Sequence, residues 1–170
     1  MHPLLTRRRR ATDAQPETAL SREQLLWCLQ ALCRSHRGSW DAERLLDETV
    51  EPYSWASLEA AAEKLGLRCS FRCVRLSRIP PDAMPCLALL QSPDPARLGS
   101  HRPALIVHLD DREARYYVPG ESALRQENLE DLAKLYTGIV LYAKPEHSTQ
   151  ALEHRESRTF GLSWIPQLLK

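Results

Sequence analysis

The chain has 170 residues, 43% of them hydrophobic and 26% charged, which supports one domain with a sizeable core and tails besides. A formal net charge of +1 gives no overall pull toward nucleic acid or acidic substrates, and no apolar run reaches membrane-spanning length. Five cysteines, an odd count, sit inside apolar patterns with no secretory signal ahead of them, which fits a reducing cytoplasm.

In chain order, residues 1–17 read as a disordered basic tail, because Arg7, Arg8, Arg9 and Arg10 repel one another and no apolar period follows. Nucleic-acid or anionic-lipid contact through this run is disfavoured by the neutrality of the rest; lipid stays as a minor alternative, a stand-alone nucleic-acid binder is a third reading of the chain, and no nucleic-acid partner is expected. The first helix begins at Ser21, an N-cap with Gln24 three residues on to complete a capping box and with Leu20 and Leu25 as a hydrophobic staple. Leu25, Cys28, Leu29, Leu32 and Cys33 share one face, and Gly38 ends the run. A short second helix is predicted over residues 39–48, with Trp40, Leu45 and Leu46 inward. A third is capped by Ser54 or Ser57, lined by Trp55, Leu58, Ala62 and Leu65, and stopped by Gly66.

Residues 67–73 alternate strictly, with Leu67, Cys69, Phe71 and Cys73 facing one way and Arg68, Ser70 and Arg72 the other, as in a half-exposed strand. Further strands are predicted over residues 85–91, 103–109, 115–118 and 138–143, with a hairpin turn at Asp110 and Asp111 and a helix over 128–136. Helices first and mostly antiparallel strands after them make an α+β domain over residues 18–145, with helices packed on a sheet face. Residues 146–170 read as a linker and an amphipathic segment.

Flat rings suit the gripping of an extended chain, so Trp27, Trp40, Tyr53, Trp55, Tyr116 and Tyr117 are candidate binding residues. Tyr116 and Tyr117 point to opposite sheet faces, so one of the two is expected to be exposed. Cys28 with Cys33, and Cys69 with Cys73, lack the tight spacing of a metal set, so no metal is expected. Without a Gly-rich phosphate loop, no nucleotide or other cofactor is expected either.

Three stretches, Leu29-Gln-Ala-Leu-Cys-Arg-Ser-His-Arg-Gly38, Ser57-Leu-Glu-Ala-Ala-Ala-Glu-Lys-Leu-Gly-Leu67 and Met84-Pro-Cys-Leu-Ala-Leu-Leu90, resemble the N-terminal domain of bacterial peptide- and protein-exporting ABC transporters. That domain is similar to the bacteriocin-leader cysteine peptidases. The resemblance spans residues 20–144 and implies a papain-like fold. Active members open the first helix with Asp-Cys-Gly, start a central strand with histidine, and carry an aspartate on the next strand. Counting back from Arg37-Gly38 puts Leu25 at the cysteine and Gln24 at the aspartate before it. Aligning Pro103-Ala-Leu-Ile-Val puts Pro103, or the nearby His101, at the histidine, and Tyr116-Tyr-Val-Pro puts Pro119 at the second aspartate. A cysteine peptidase needs a thiolate, an imidazole to take its proton and a third group to hold that ring, and leucine and proline supply none of these.

The resemblance therefore implies a chain that is not an enzyme: the degenerate domain of a haemolysin-type type I secretion transporter. Its role would be to bind an unfolded, glycine-rich calcium-binding repeat (RTX) protein, a large adhesin being one candidate. Implied partners are that cargo, the rest of a dimeric transporter, a membrane fusion protein and an outer-membrane channel, at the cytoplasmic side of a Gram-negative inner membrane. Phe160, Trp164, Ile165, Leu168 and Leu169 around Pro166 resemble the amphipathic elbow that lies on the membrane surface before the first spanning helix. The rival reading is a working leader peptidase using Cys28 with His101 or His108 and Asp110. Cys28 lies one turn past the nucleophile's place and on the apolar stripe, which favours a structural thiol.

Overall fold

The computed structural model describes residues 18–36, 41–92 and 100–146. The expectations placed on the tail 1–17, on Trp40 and on the elbow residues Phe160, Trp164, Ile165, Leu168 and Leu169 lie outside the described residues.

Helix α1 (Arg22–Ser35) starts where its cap predicts: Ser21 Oγ accepts the Gln24 N–H at 3.1 Å, and Gln24 Oε1 accepts the Ser21 N–H at 3.0 Å. Helix α2 (Ala42–Asp47) starts later than its apolar pattern suggests, because Asp41 is the cap and its carboxylate accepts the N–H groups of Glu43 and Arg44. For α3 (Trp55–Lys64) the structure chooses Ser54, which accepts the Ser57 N–H at 3.2 Å. Gly66 then turns the chain at φ 72°, a left-handed conformation that a side chain disfavours.

Six strands follow: β1 (Leu67–Cys73), β2 (Cys86–Gln91), β3 (His101–Leu109), β4 (Glu113–Tyr117), β5 (Arg125–Asn128) and β6 (Tyr136–Pro145). Helix α4 (Leu129–Leu135) links the last two, and two 3-10 turns (Leu76–Arg78 and Pro81–Ala83) lie between β1 and β2. The sheet order is β1-β6-β2-β3-β4-β5, and every neighbouring pair is antiparallel. The last strand thus inserts between the first two. Strand β5 escapes sequence reading because Arg125-Gln-Glu-Asn128 has no apolar period; its conformation comes from pairing with β4, Ala114 opposite Glu127.

One sheet face carries α1, α2 and α3, whose Leu25, Leu29, Leu46, Trp55 and Leu58 pack on Leu67, Leu87, Leu89, Leu105, Tyr117 and Leu141. The other face is covered by the 74–84 segment and α4, with Leu76, Ile79 and Leu132 over Ala88, Ala104, Ile106, Ala114, Tyr116 and Val140. This two-sided cover corrects the expectation for the tyrosine pair. Tyr116 and Tyr117 do point to opposite faces, yet both are buried, because each face is a core.

The alternation of β1 also breaks at its end. Leu67 and Cys69 are buried, Phe71 is half-buried, and Cys73, expected inward, is exposed. Helix rise explains it: ten residues of α3 span about 15 Å, whereas the seven residues of β1 run about 24 Å. The helix returns over the strand only as far as Phe71, whose ring meets Trp55 edge-on at 5.7 Å.

Candidate functional site

The positions matched to catalytic residues gather at one end of β3. Gln24 Nε2 donates to the His101 carbonyl at 3.3 Å, tying the first turn of α1 to the first residue of β3. Leu25 is wholly buried beneath that turn. Pro103 is buried opposite Leu89. The register that pairs Leu105 with Tyr117 projects Pro119 opposite Pro103, and β4 stops at Tyr117. The same Gln24 therefore caps the helix and docks it on the strand, which no sequence period could reveal.

Cys28 is fully buried within α1, and burial pushes its thiol far above the ordinary range, away from thiolate. Burial likewise raises Cys33 to about 11, with opposing help from its backbone and Arg34, and Cys86 to about 12. Cys69 is raised to about 12 by burial first and then by Glu59 and Glu63. The one solvent-facing thiol of the five is Cys73.

His108 and Asp110 meet at the β3–β4 turn, Nε2 to Oδ2 at 3.1 Å, seven residues or about 24 Å of strand beyond His101. Cys28 takes no part in this cluster, whose third member is Glu113, with ligand-type atoms within 4.8 Å of one another. Protein partners already engage them: Asp110 Oδ1 accepts the N–H groups of Arg112 and Glu113 at 2.8 Å each, and Glu113 pairs with Arg115 and Gln126. Those backbone donors, Glu113 first, hold the Asp110 carboxyl down to about 2.

Of the aromatic candidates, Trp27, Trp55, Tyr116 and Tyr117 are interior, Tyr53 is half-buried, and Trp40 lies outside the described residues. Open surface is found instead at the β1 end of the sheet. A groove of about 690 Å³ runs between Val74 and Leu76 on one wall and Leu129, Ala133 and Tyr136 on the other, with Cys73 at its mouth. Arg75 lines it, and the exposed Arg68, Arg72 and Arg78 are its neighbours in sequence. Sequence reading placed Arg68 and Arg72 on a polar strand face and assigned them no role. The signal available was four arginines within eleven residues on a chain whose net charge is only +1.

The sequence matches no family model and no curated protein. Solved structures share its fold. The N-terminal peptidase C39-like domain of the toxin secretion ATP-binding protein from Vibrio parahaemolyticus is 23% identical, with a TM-score of 0.55 over 72% of this chain and 96% of that one. The peptidase domain of Streptococcus ComA, a bifunctional ABC transporter of a quorum-sensing pathway, is 12% identical with a TM-score of 0.54 over 75% and 96%. A double glycine motif protease from an AMS/PCAT transporter, solved with its leader peptide, is 15% identical with a TM-score of 0.56 over 82% and 96%. The chain has the papain-like α+β fold of the C39-like peptidase domains.

The expectation that the chain is not an enzyme is corrected by this likeness. Two of the three structures are a peptidase domain and a protease holding its leader peptide, so the fold is one on which peptide cleavage takes place. Residue identities at Leu25, Pro103 and Pro119 are therefore no demonstration that the chain is catalytically dead.

Proposed function

We propose that this chain is the peptide-engaging domain of an ABC transporter that exports peptide or protein, held at the cytoplasmic side of the membrane by the rest of that transporter. The observation that carries the reading is its fold, shared with a double glycine motif protease solved with leader peptide, of which 96% is covered. The mainly apolar groove beside β1, with Arg75 in its lining, supports an extended cargo, because an open sheet edge and its adjoining groove can take a chain that has not folded. The cargo we assign is an unfolded, glycine-rich calcium-binding repeat protein of a type I secretion system. Titrating such a cargo in calcium-free and calcium-folded form tests it: binding of the unfolded form alone is expected, and equal binding of both, or of neither, overturns it.

Leader-peptide cleavage is the second reading, favoured by the peptidases that share the fold. Incubation with double-glycine leader peptides and mass analysis of the products decides it. Product that disappears in Cys28→Ala assigns cleavage to that thiol, which must then leave its buried position to react; intact peptide leaves recognition as the activity of this domain.

A further inference from the structure

The two edges of the sheet are finished differently. Strand β5 is four residues long, and its charges are tied off: Arg125 makes a bidentate pair with Glu121, both contacts at 2.6 Å, and Gln126 reaches Glu113. Short, charged edges of this kind resist the addition of another strand.

Strand β1 is seven residues long, and no described strand pairs with its outer side. The Val74 N–H donates to the Gly138 carbonyl and the Glu146 N–H to the Gly66 carbonyl, both at 2.9 Å. With the register from Leu67–Pro145 to Cys73–Ile139, these bonds fix the parity of the ladder. Arg68, Ser70 and Arg72 bond inward to β6, and the backbone N–H and C=O groups of Leu67, Cys69, Phe71 and Cys73 point to the open side. The Phe71 carbonyl on that side is met by the guanidinium of Arg72, at 3.2 Å.

The charge around this edge selects its occupant. Arg68 and Arg72 share the strand face that continues into the groove, and Arg75 and Arg78 extend the row; all four are exposed. On the arginine side the nearby acids are Glu130 in the groove wall, Asp82, which acts on Tyr142 together with Arg72, and Glu146 opposite Gly66, three against four arginines and Lys144; Glu59 and Glu63 lie on the helix side beside Cys69. A second copy of β1 paired antiparallel about Ser70 would set Arg68 opposite Arg72, a destabilising like-charge pair. The chain's own ends are not acidic either: residues 1–17 carry Arg7 to Arg10 against Asp13 and Glu17, and residues 147–170 carry Arg155, Arg158 and Lys170 against Glu153 and Glu156.

We infer that the open edge of β1 is a strand-addition site for an extended, acidic polypeptide segment whose apolar residue seats in the groove beside Val74, Leu76 and Tyr136. This deepens the peptide-engaging reading and rests on it. Backbone pairing supplies affinity without regard to sequence, and the side chains supply selection. In an antiparallel addition, acids four residues apart face Arg72 and Arg68, and the residue two positions before the first acid lies over the groove.

A fluorescein-labelled peptide built on Val-Thr-Glu-Thr-Ser-Thr-Glu tests this by fluorescence anisotropy together with amide exchange. Saturable binding is expected, weakened about tenfold or more by the double change Arg68→Glu and Arg72→Glu and by lysine in place of both glutamates. The amides of Cys69 and Phe71 exchange more slowly in the complex. Cys73→Pro, which removes an outward N–H and leaves the β6 ladder intact, weakens binding with no change of charge, its folding checked by thermal melting. Absence of binding, binding that charge reversal leaves unchanged, or binding without amide protection overturns the inference. Whole unfolded cargo separates the two claims: equal binding to wild type and to the double variant keeps recognition and removes β1 from it, and binding to neither removes recognition itself.

Discussion

The two faces of the sheet are both dry, yet they are built on different scales. On the helix face, large side chains meet large ones: Trp55, Leu25, Leu29 and Leu58 sit against Leu87, Leu89, Leu105 and Leu141. On the other face the sheet offers Ala88, Ala104 and Ala114, so the thin cover of two 3-10 turns and a two-turn helix can come down close to the strands. That cover leaves the groove between Val74 and α4, while the helix layer closes over its face as far as Phe71. The difference teaches that one face supplies most of the stability and the other supplies the accessible surface.

The largest effect that would break this comparison is at Trp55, fully buried and stacked edge-on with Phe71. Trp55→Ala is expected to cost about 3–5 kcal/mol in urea unfolding. On the opposite face Leu132 is the buried residue of α4, and Leu132→Ala is expected to cost about 2 kcal/mol, the low end for such a change, because a site beside an open groove can relax. If Leu132→Ala proves the more damaging, the assignment of stability to the helix face is wrong. A smaller change sharpens how the helix layer is anchored. Ser21→Ala removes the acceptor of the Gln24 N–H and is expected to cost about 1 kcal/mol, with faster amide exchange in the first turn of α1.

The smallest effect is a pH dependence outside both cores. The Asp110 carboxyl is held down to about 2 by the N–H groups of Glu113 and Arg112 and by His108, below its ordinary value near 3.8. A depressed carboxyl contributes stability that is present above the ordinary value and is lost as pH falls toward 2. Asp110→Asn should therefore flatten the melting temperature over that interval, with the variant slightly less stable than wild type at neutral pH and nearest to it as pH approaches 2.

Legibility from sequence follows the same division. The helix face was readable because its elements carry local signals: Ser21 with Gln24, Ser54 ahead of Trp55, and Gly66 at the stop. The other face was readable in part, Leu132 lying within an expected helix. Strand β5 and the covering of Tyr116 by the 74–84 segment and α4 were not, since both depend on partners distant in sequence. At the β3 end, the identities of Leu25, Pro103 and Pro119 were legible. The inference drawn from them, that the chain is not an enzyme, was not secure, because activity belongs to an assembled site and the same fold is used by peptidases. At the β1 end the arginines were visible and their use was not, because an open edge is a property of strand order.

By itself the sequence determined what local physics determines: where helices begin and stop, which strand positions are apolar, and that the cysteines are largely core thiols. Only the tertiary structure decided that β6 inserts beside β1, that Tyr116 and Tyr117 are both covered, and that no described strand pairs with the outer side of β1. The reason is physical. Caps and periodicity act over three or four residues, whereas strand order and edge exposure are settled by pairings between residues far apart in the chain, such as Leu67 with Pro145, 78 positions on.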